Sequence, residues 1–350
     1  MWQKFILGVP IDRLVKQYPL LNKKTMPSSI MKLGKRLREF MEYKENNAFE
    51  LSKNNVLYID ETTHPLTYSP QKSDGKTRYS SYIYCLAVDK IILFKATISR
   101  SSKWLRDKLK ELDYDIYISS DDYSGYNFIK DNYHLLCNRH ARRNFFKAVC
   151  SLPKDVDVEA SSSYQVLLSY SKIFRVEKKI KVLSSEDKYK YRNSDEYQKL
   201  IEDLWNKVEI ASNDAFGGSK TEKAVKYIKN NWNRLFNYRK SGDLKMENGT
   251  PKNNIKKLCL IRNNSLIFNN ANTAQINCDI LSLILIAKAY GLDERKYLNY
   301  IFQMLPDLED EHKINKRKDE RNSRPVEVNY EQIAPWNSKL YNETIECTFD

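Results

Sequence analysis

Two apolar runs in this chain end on carboxylates. "VLYIDET" carries Val56 to Ile59 into Asp60 and Glu61, and "YDIYISSDD" carries a second run into Asp121 and Asp122. Carboxylates fixed at the ends of rigid strands suit a pair of Mg²⁺ ions about 4 Å apart. One ion would activate water or a 3′-hydroxyl, and the other would stabilise the leaving oxygen of a phosphodiester. Like charges that close oppose each other without a cation, so the arrangement implies the metal. The competing reading is two ordinary aspartates in polar strand ends. Glu61 alternates to the opposite side of the strand from Asp60, which gives it a supporting or structural role.

Further along, "CNRHARRNFF" places Cys137 and His140 three residues apart. One Cys and one His make half a zinc site at most, so no zinc is expected; a buried thiol and a structural histidine account for them. Arg142 and Arg143 either contact backbone phosphates or belong to the solvated face of a helix.

The elements that must position these residues change period along the chain. "TMPSSIMKLGKRLREFMEY" sets Met26, Ile30, Leu33, Leu37, Phe40 and Met41 on one helical face, with Thr25 or Ser28 as cap. Residues 55–99 read as three strands: Val56–Ile59, then 80–89 and 90–99 joined at Asp89-Lys90, with a Pro- and Gly-containing loop over 67–79. A helix follows over 102–112, a fourth strand over 114–119, a fifth over 133–137, and helices from Asn138. Residues 155–235 read as helical, with Trp205 and Trp232 as packing residues. The order matches an α/β fold of the ribonuclease-H-like kind, a mixed five-stranded sheet with helices on both faces and a large helical insertion. In that fold the ends of the first and fourth strands lie side by side, which would bring Asp60 and Asp121 together.

Composition narrows the partner. Fifty-nine basic residues against 45 acidic ones give a net charge of +14, which favours a polyanion, most simply DNA. No stretch reaches the roughly 20 apolar residues of a membrane span. The start is interrupted by Asp12, Arg13 and Lys16, and the six cysteines form no C-x-x-C pair. A cytoplasmic protein with reduced thiols is expected.

Four stretches, "IDET", "DDYSGY", "CNRHARRNFF" and "AYGLDERKYL", resemble in that order the transposases of the insertion-sequence-sixty-six family, as does Pro335-Trp336 near the end. The resemblance runs from about residue 5 to Asn337. It implies a DDE transposase with a ribonuclease-H-like catalytic domain, dependent on Mg or Mn, that cuts and joins DNA strands. Asp60 takes the first catalytic position and Asp121 the second, while Asp122 falls on a variable one; Cys137 and His140 match the family's C-x-x-H. Family members act on paired DNA ends, which implies a homo-oligomer or pairing with an intact transposase.

The third acid departs from the pattern. Arg262-Asn263-Asn264 fixes the register, and counting back from it lays the family's D-N-N-x-x-E on "ENGTPK", Glu247 to Lys252. Lys252 therefore stands where the catalytic glutamate belongs, and Glu247, five residues upstream, is the candidate substitute. An ammonium there would neutralise Asp60 and Asp121 in part and oppose metal binding. Full-length members also carry a further N-terminal region, so a shortened copy is expected. The expected organisation is an N-terminal helical region (1–53), the first part of the catalytic domain (54–150), a helical insertion (151–245), the C-terminal part of the catalytic domain (246–310) and a basic polar tail (311–350). The expected function is a weak or inactive transposase; the alternative is a non-catalytic DNA-binding or regulatory protein.

Overall fold

The computed structural model describes residues 2–52, 55–67, 79–111, 116–265, 270–319 and 329–337. In chain order the elements are α1 (Trp2–Phe5), α2 (Ile11–Gln17), α3 (Thr25–Ser52), β1 (Leu57–Leu66), β2 (Tyr79–Val88), β3 (Ile91–Thr97), α4 (Lys103–Glu111), β4 (Ile118–Ser120), β5 (His134–Leu136), α5 (Asn138–Val149), α6 (Ser162–Ile180), α7 (Ser185–Arg192), α8 (Asp195–Asn213), α9 (Lys220–Asn230), α10 (Trp232–Phe236), α11 (Gly249–Ser265), α12 (Ala271–Ala289) and α13 (Glu294–Asp319). The five strands form one mixed sheet in the order β3-β2-β1-β4-β5, so the class is α/β. β1, β2 and β3 pair antiparallel, and β4 and β5 pair parallel. The chain divides into two compact units, Met1–Leu112 with Thr250–Asp350, and Asp113–Gly249.

In the first unit, the expected face of α3 is the buried one: Ile30, Leu37, Phe40 and Met41 are in the core, and Met26 and Leu33 are half-buried. The hairpin of β2 and β3 turns at Asp89, whose φ of 48° is the left-handed conformation a tight turn demands and Asp tolerates. β1 differs from its expected extent. It does not stop before Asp60 but runs on to Leu66, because Thr62 and Thr63 are β-branched and the segment Glu61–Leu66 pairs residue for residue with Tyr84–Tyr79. Most of the expected loop, residues 68–78, lies outside the described residues.

β3 is an edge strand of the sheet, and α12 covers it. Ser282 Oγ accepts the Phe94 N–H at 2.9 Å, Gln275 Oε1 accepts the Ala96 N–H at 2.7 Å, and Gln275 Nε2 donates to the Phe94 carbonyl at 3.1 Å. Side chains thus satisfy backbone groups that an edge would leave open. α12 is apolar on nearly all sides because it is buried on nearly all sides. It ends at Gly291, whose φ of 83° lets the Leu292 N–H reach the Ala287 carbonyl at 3.0 Å. α13 continues to Asp319, past the start of the segment expected to be a polar tail. Residues 320–328 and 338–350 of that tail lie outside the described residues. A short 3₁₀ turn, Tyr330–Ile333, returns to the core: Ile333 and Ala334 are fully buried, and Tyr297 donates to the Ile333 carbonyl at 2.8 Å.

The second unit is helical around the β4–β5 pair, as expected for 155–235. Serines start its helices: Ser161, Ser184, Ser194 and Ser219 each accept the backbone N–H three residues on. Ser219 and Glu222 lie at capping-box spacing. Trp205 and Trp232 stack edge to face with ring centroids 4.6 Å apart, half-buried, which supports packing as their role. At the centre, the buried Arg192 grips Glu177 with two bonds of 2.9 and 2.6 Å. Its Nη1 donates to the carbonyls of Tyr238, Ser241 and Leu244. Tyr197 completes the network, bonding Glu177 at 2.8 Å and Tyr238 at 2.6 Å. This staple fixes residues 238–244, the approach to Glu247.

Candidate functional site

In the first unit, Asp60 sits in the middle of β1, opposite Cys85 of β2. Directly opposed residues of an antiparallel pair share a face of the sheet. Asp60 is half-buried, and its Oδ1 accepts the Glu61 N–H at 3.0 Å. Burial pushes the Cys85 thiol well up, with the Asp60 charge adding to the rise and Lys257 opposing it. On the other face Glu61 is gripped by Arg100 through Nε at 3.0 Å and Nη2 at 2.6 Å, while Tyr84 donates to the Arg100 carbonyl at 2.7 Å. The alternation therefore separates a structural glutamate from Asp60, as the strand period requires.

α11 packs through Pro251, Asn254, Leu258 and Ile261, a spacing of three and four. Arg262 ties it to β1, donating to the Thr63 carbonyl at 3.1 Å. Pro251 lies in its first turn, where no intrahelical donor is lost. Lys252 follows it, half-buried, in the same first turn. A cation there opposes the helix dipole, whereas a glutamate would favour it.

In the second unit, Asp121 directly follows β4. Its Oδ1 accepts the Tyr123 N–H at 3.1 Å, an Asx-type turn that carries the chain out of the sheet. The motif "DDYSGY" then makes physical sense. Tyr123 meets Tyr126 edge to face at 5.5 Å, and a Cβ on Gly125 would fall 2.3 Å from the Tyr123 ring. Beneath Asp121, Ser120 Oγ bonds His134 Nε2 at 2.7 Å. Burial, then the nearby Arg234, hold His134 down to about 3, so it is neutral at physiological pH. The adjacent Asp122 has a different fate: Asn231 Nδ2 donates to it at 2.8 Å and Arg234 lies 3.7 Å away.

Cys137 and His140 occupy the start of α5. The Cys137 thiol is buried and accepts the Asn248 N–H at 3.3 Å; His140 is half-buried. Asn138 donates to the carbonyls of Leu235 and Met246 at 2.7 and 3.2 Å. Arg139 takes both carboxylate oxygens of Glu247, which raises the guanidinium further. The candidate substitute acid is thus an ion-pair partner. Arg142 is half-buried and Arg143 exposed, and neither makes an ion pair or hydrogen bond among the described residues. Among the described residues no three His, Cys, Asp or Glu side chains cluster in a way that would hold a metal ion. No helix among them is long and apolar enough to cross a membrane.

Arg139, Asn231 and Arg234 were not singled out in the sequence. Each finds its acid across 108, 109 and 112 positions of chain, a separation no local pattern reports.

Comparison with known proteins adds three findings. A family described as "Transposase IS66 family" matches residues 1–276. An uncharacterized protein, y4jD, of Sinorhizobium fredii is 23% identical over 169 residues, 48% of this chain and 32% of the relative. The matched part thus spans about a third of that relative's length. No solved structure matches.

Proposed function

We propose that this chain, which belongs to the IS66 transposase family, keeps the scaffold of a DDE enzyme that cuts and joins DNA strands but lacks the third acid that chemistry needs. On this reading the sheet and its helices are a ribonuclease-H-like domain, and DNA is the partner. Asp60 and Asp121 are the two metal-binding carboxylates. Their positions support it: one lies on the central strand β1, the other leaves β4, and the neighbours Glu61 and Asp122 are taken by Arg100 and by Asn231 with Arg234.

Two carboxylates suit the oxygen chemistry of Mg²⁺ or Mn²⁺. The third position does not. Lys252 brings an ammonium into a donor set that needs negative charge. The observation that carries the reading is the engagement of Glu247 by Arg139, which commits the acid nearest to Lys252 in sequence. The residues present therefore fit the metal incompletely, and the copy is weak or inactive as an enzyme.

A second reading is a non-catalytic DNA-binding or regulatory protein, acting as a homo-oligomer or beside an intact transposase. The excess of basic residues and the uncommitted Arg142 and Arg143 favour it as a present role, with both arginines on backbone phosphates. Calorimetric titration with Mn²⁺ tests the metal fit. The wild type should show no saturable binding and Lys252→Glu should gain it. Saturable binding to the wild type that disappears in Asp60→Ala contradicts the reading.

A further inference from the structure

The Asp113–Gly249 unit holds a second feature beside Asp121. It is a cleft of about 340 Å³ between the turn after β4 and the helix α9. One wall is Asp122, Ser124 and Asn127, with the Asp122 carboxylate held by Asn231 and Arg234. The other is Lys223, Lys226, Tyr227 and Asn230, successive members of one α9 face at spacings of three, one and three. Its floor holds Arg234, whose charge is shared by Asp122 and Asp131 at 3.7 Å each.

The donors along this cleft are largely uncommitted. Ser124, Asn127, Lys223 and Asn230 make no side-chain hydrogen bond or ion pair among the described residues. Lys226 pairs with Glu222 at 2.7 Å, but its side chain is 68% exposed, so the pair costs little to open. The Tyr227 hydroxyl is buried and without a partner, and its ionisation is pushed up first by burial and then by Asp122, Cys137 and Asp121. The wall of the cleft therefore feels the Asp121 charge. Lysines and side-chain amides with free N–H groups around an open cleft are the chemistry that receives a phosphate.

We propose that this cleft seats a backbone phosphate of the DNA strand that passes Asp121, with Lys223 and Lys226 as its cationic contacts and Asn127 and Asn230 as hydrogen-bond donors. The inference rests on the reading of DNA as partner. It deepens that reading by giving the helical insertion a substrate-positioning role. An acidic protein segment is the competing occupant of a basic cleft. The strand is favoured because the one guanidinium in the cleft, the fork that suits a carboxylate, is already shared by Asp122 and Asp131, which leaves lysines that meet a phosphate as point charges.

The test is fluorescence anisotropy of labelled single-stranded and duplex oligonucleotides in EDTA, across 50 to 200 mM KCl. It compares the wild type, Lys223→Ala/Lys226→Ala, and Lys178→Ala/Lys179→Ala on the exposed end of α6. The two pairs remove the same formal charge. Losing the one neutralised phosphate should lower the slope of log affinity against log salt by about 0.9 on duplex and about 0.7 on single strands, and only for the α9 pair. Equal slopes for both pairs overturn the proposal and leave the DNA reading standing. A wild type that binds no oligonucleotide overturns the DNA reading itself, and the cleft with it. A polyglutamate probe that binds more tightly than DNA, and is lost in the α9 pair, overturns the proposal in favour of an acidic partner. Because no metal is present, failure of the metal-site reading leaves the result unchanged.

Discussion

Arg139 and Glu247 meet as a two-point ion pair: Nη2 stands 3.0 Å from Oε1 while Nε meets Oε2. The pair joins the first turn of α5 to the segment that leads into α11. It also engages the acid closest in sequence to Lys252.

The pair is more than half exposed on its arginine side, so its contribution to stability is small. Arg139→Ala should cost less than about 1 kcal/mol by urea unfolding. It should also fail to create metal-dependent cutting, since Glu247 lies five positions from the family register. Cutting by Arg139→Ala would show that Glu247 is a masked catalytic acid.

Arg192 is the opposite case. It is 3% exposed and bonded to a carboxylate and three carbonyls. Removing it strands Glu177 and three carbonyl acceptors in the core, so Arg192→Ala should cost roughly 3–5 kcal/mol. Lys at this position cannot reproduce the fork, and Arg192→Lys should recover only part of the loss. Urea midpoints of the two variants check both statements. A change near zero for Arg192→Ala would refute the staple.

His134 sets a pH dependence. Its native pKa of about 3 lies below the ordinary 6.5. Between those values the unfolded chain binds the proton and the folded chain does not, so stability falls as pH drops from 6.5 toward 3. The slope attributable to this one group approaches about 1.4 kcal/mol per pH unit. His134→Gln should flatten the difference between pH 6.5 and pH 5 by up to that amount per unit. Wild type and variant with the same pH profile would show that His134 titrates normally.

Much of this arrangement was readable beforehand, for local reasons. The β2–β3 hairpin was marked by two β-branched runs about Asp89-Lys90, the start of α5 by the switch to helical spacing at Asn138, and the Gly291 turn by its glycine. What escaped reading was non-local. β1 appeared to end at Asp60 because two carboxylates interrupt its apolar pattern, yet Arg100, 39 positions away, neutralises Glu61 and allows the strand to continue. Lys44 reads as an ordinary surface lysine of α3. It is instead fully buried, its Nζ 4.3 Å from the Phe40 ring centre and near Tyr297 and Trp336, and burial lowers it well below its usual value. Phe40 lies one turn back on the same helix, but Tyr297 comes from α13 and Trp336 from the segment after the Tyr330 turn, 253 and 292 positions on, so no window of sequence around Lys44 reports its burial. The identity of the residue at 252 was legible by register, but the commitment of Glu247 was not.

On the proposed reading, Lys252 disables an otherwise retained scaffold. Nicking of a supercoiled plasmid in Mg²⁺ or Mn²⁺ tests it most directly, with the wild type, Lys252→Glu, and Lys252→Glu combined with Asp60→Ala. The wild type should not nick, Lys252→Glu should nick, and the activity should be lost when Asp60 is also removed. Nicking by the wild type that Asp60→Ala abolishes would contradict it, because the chain would then complete its site without an acid at 252.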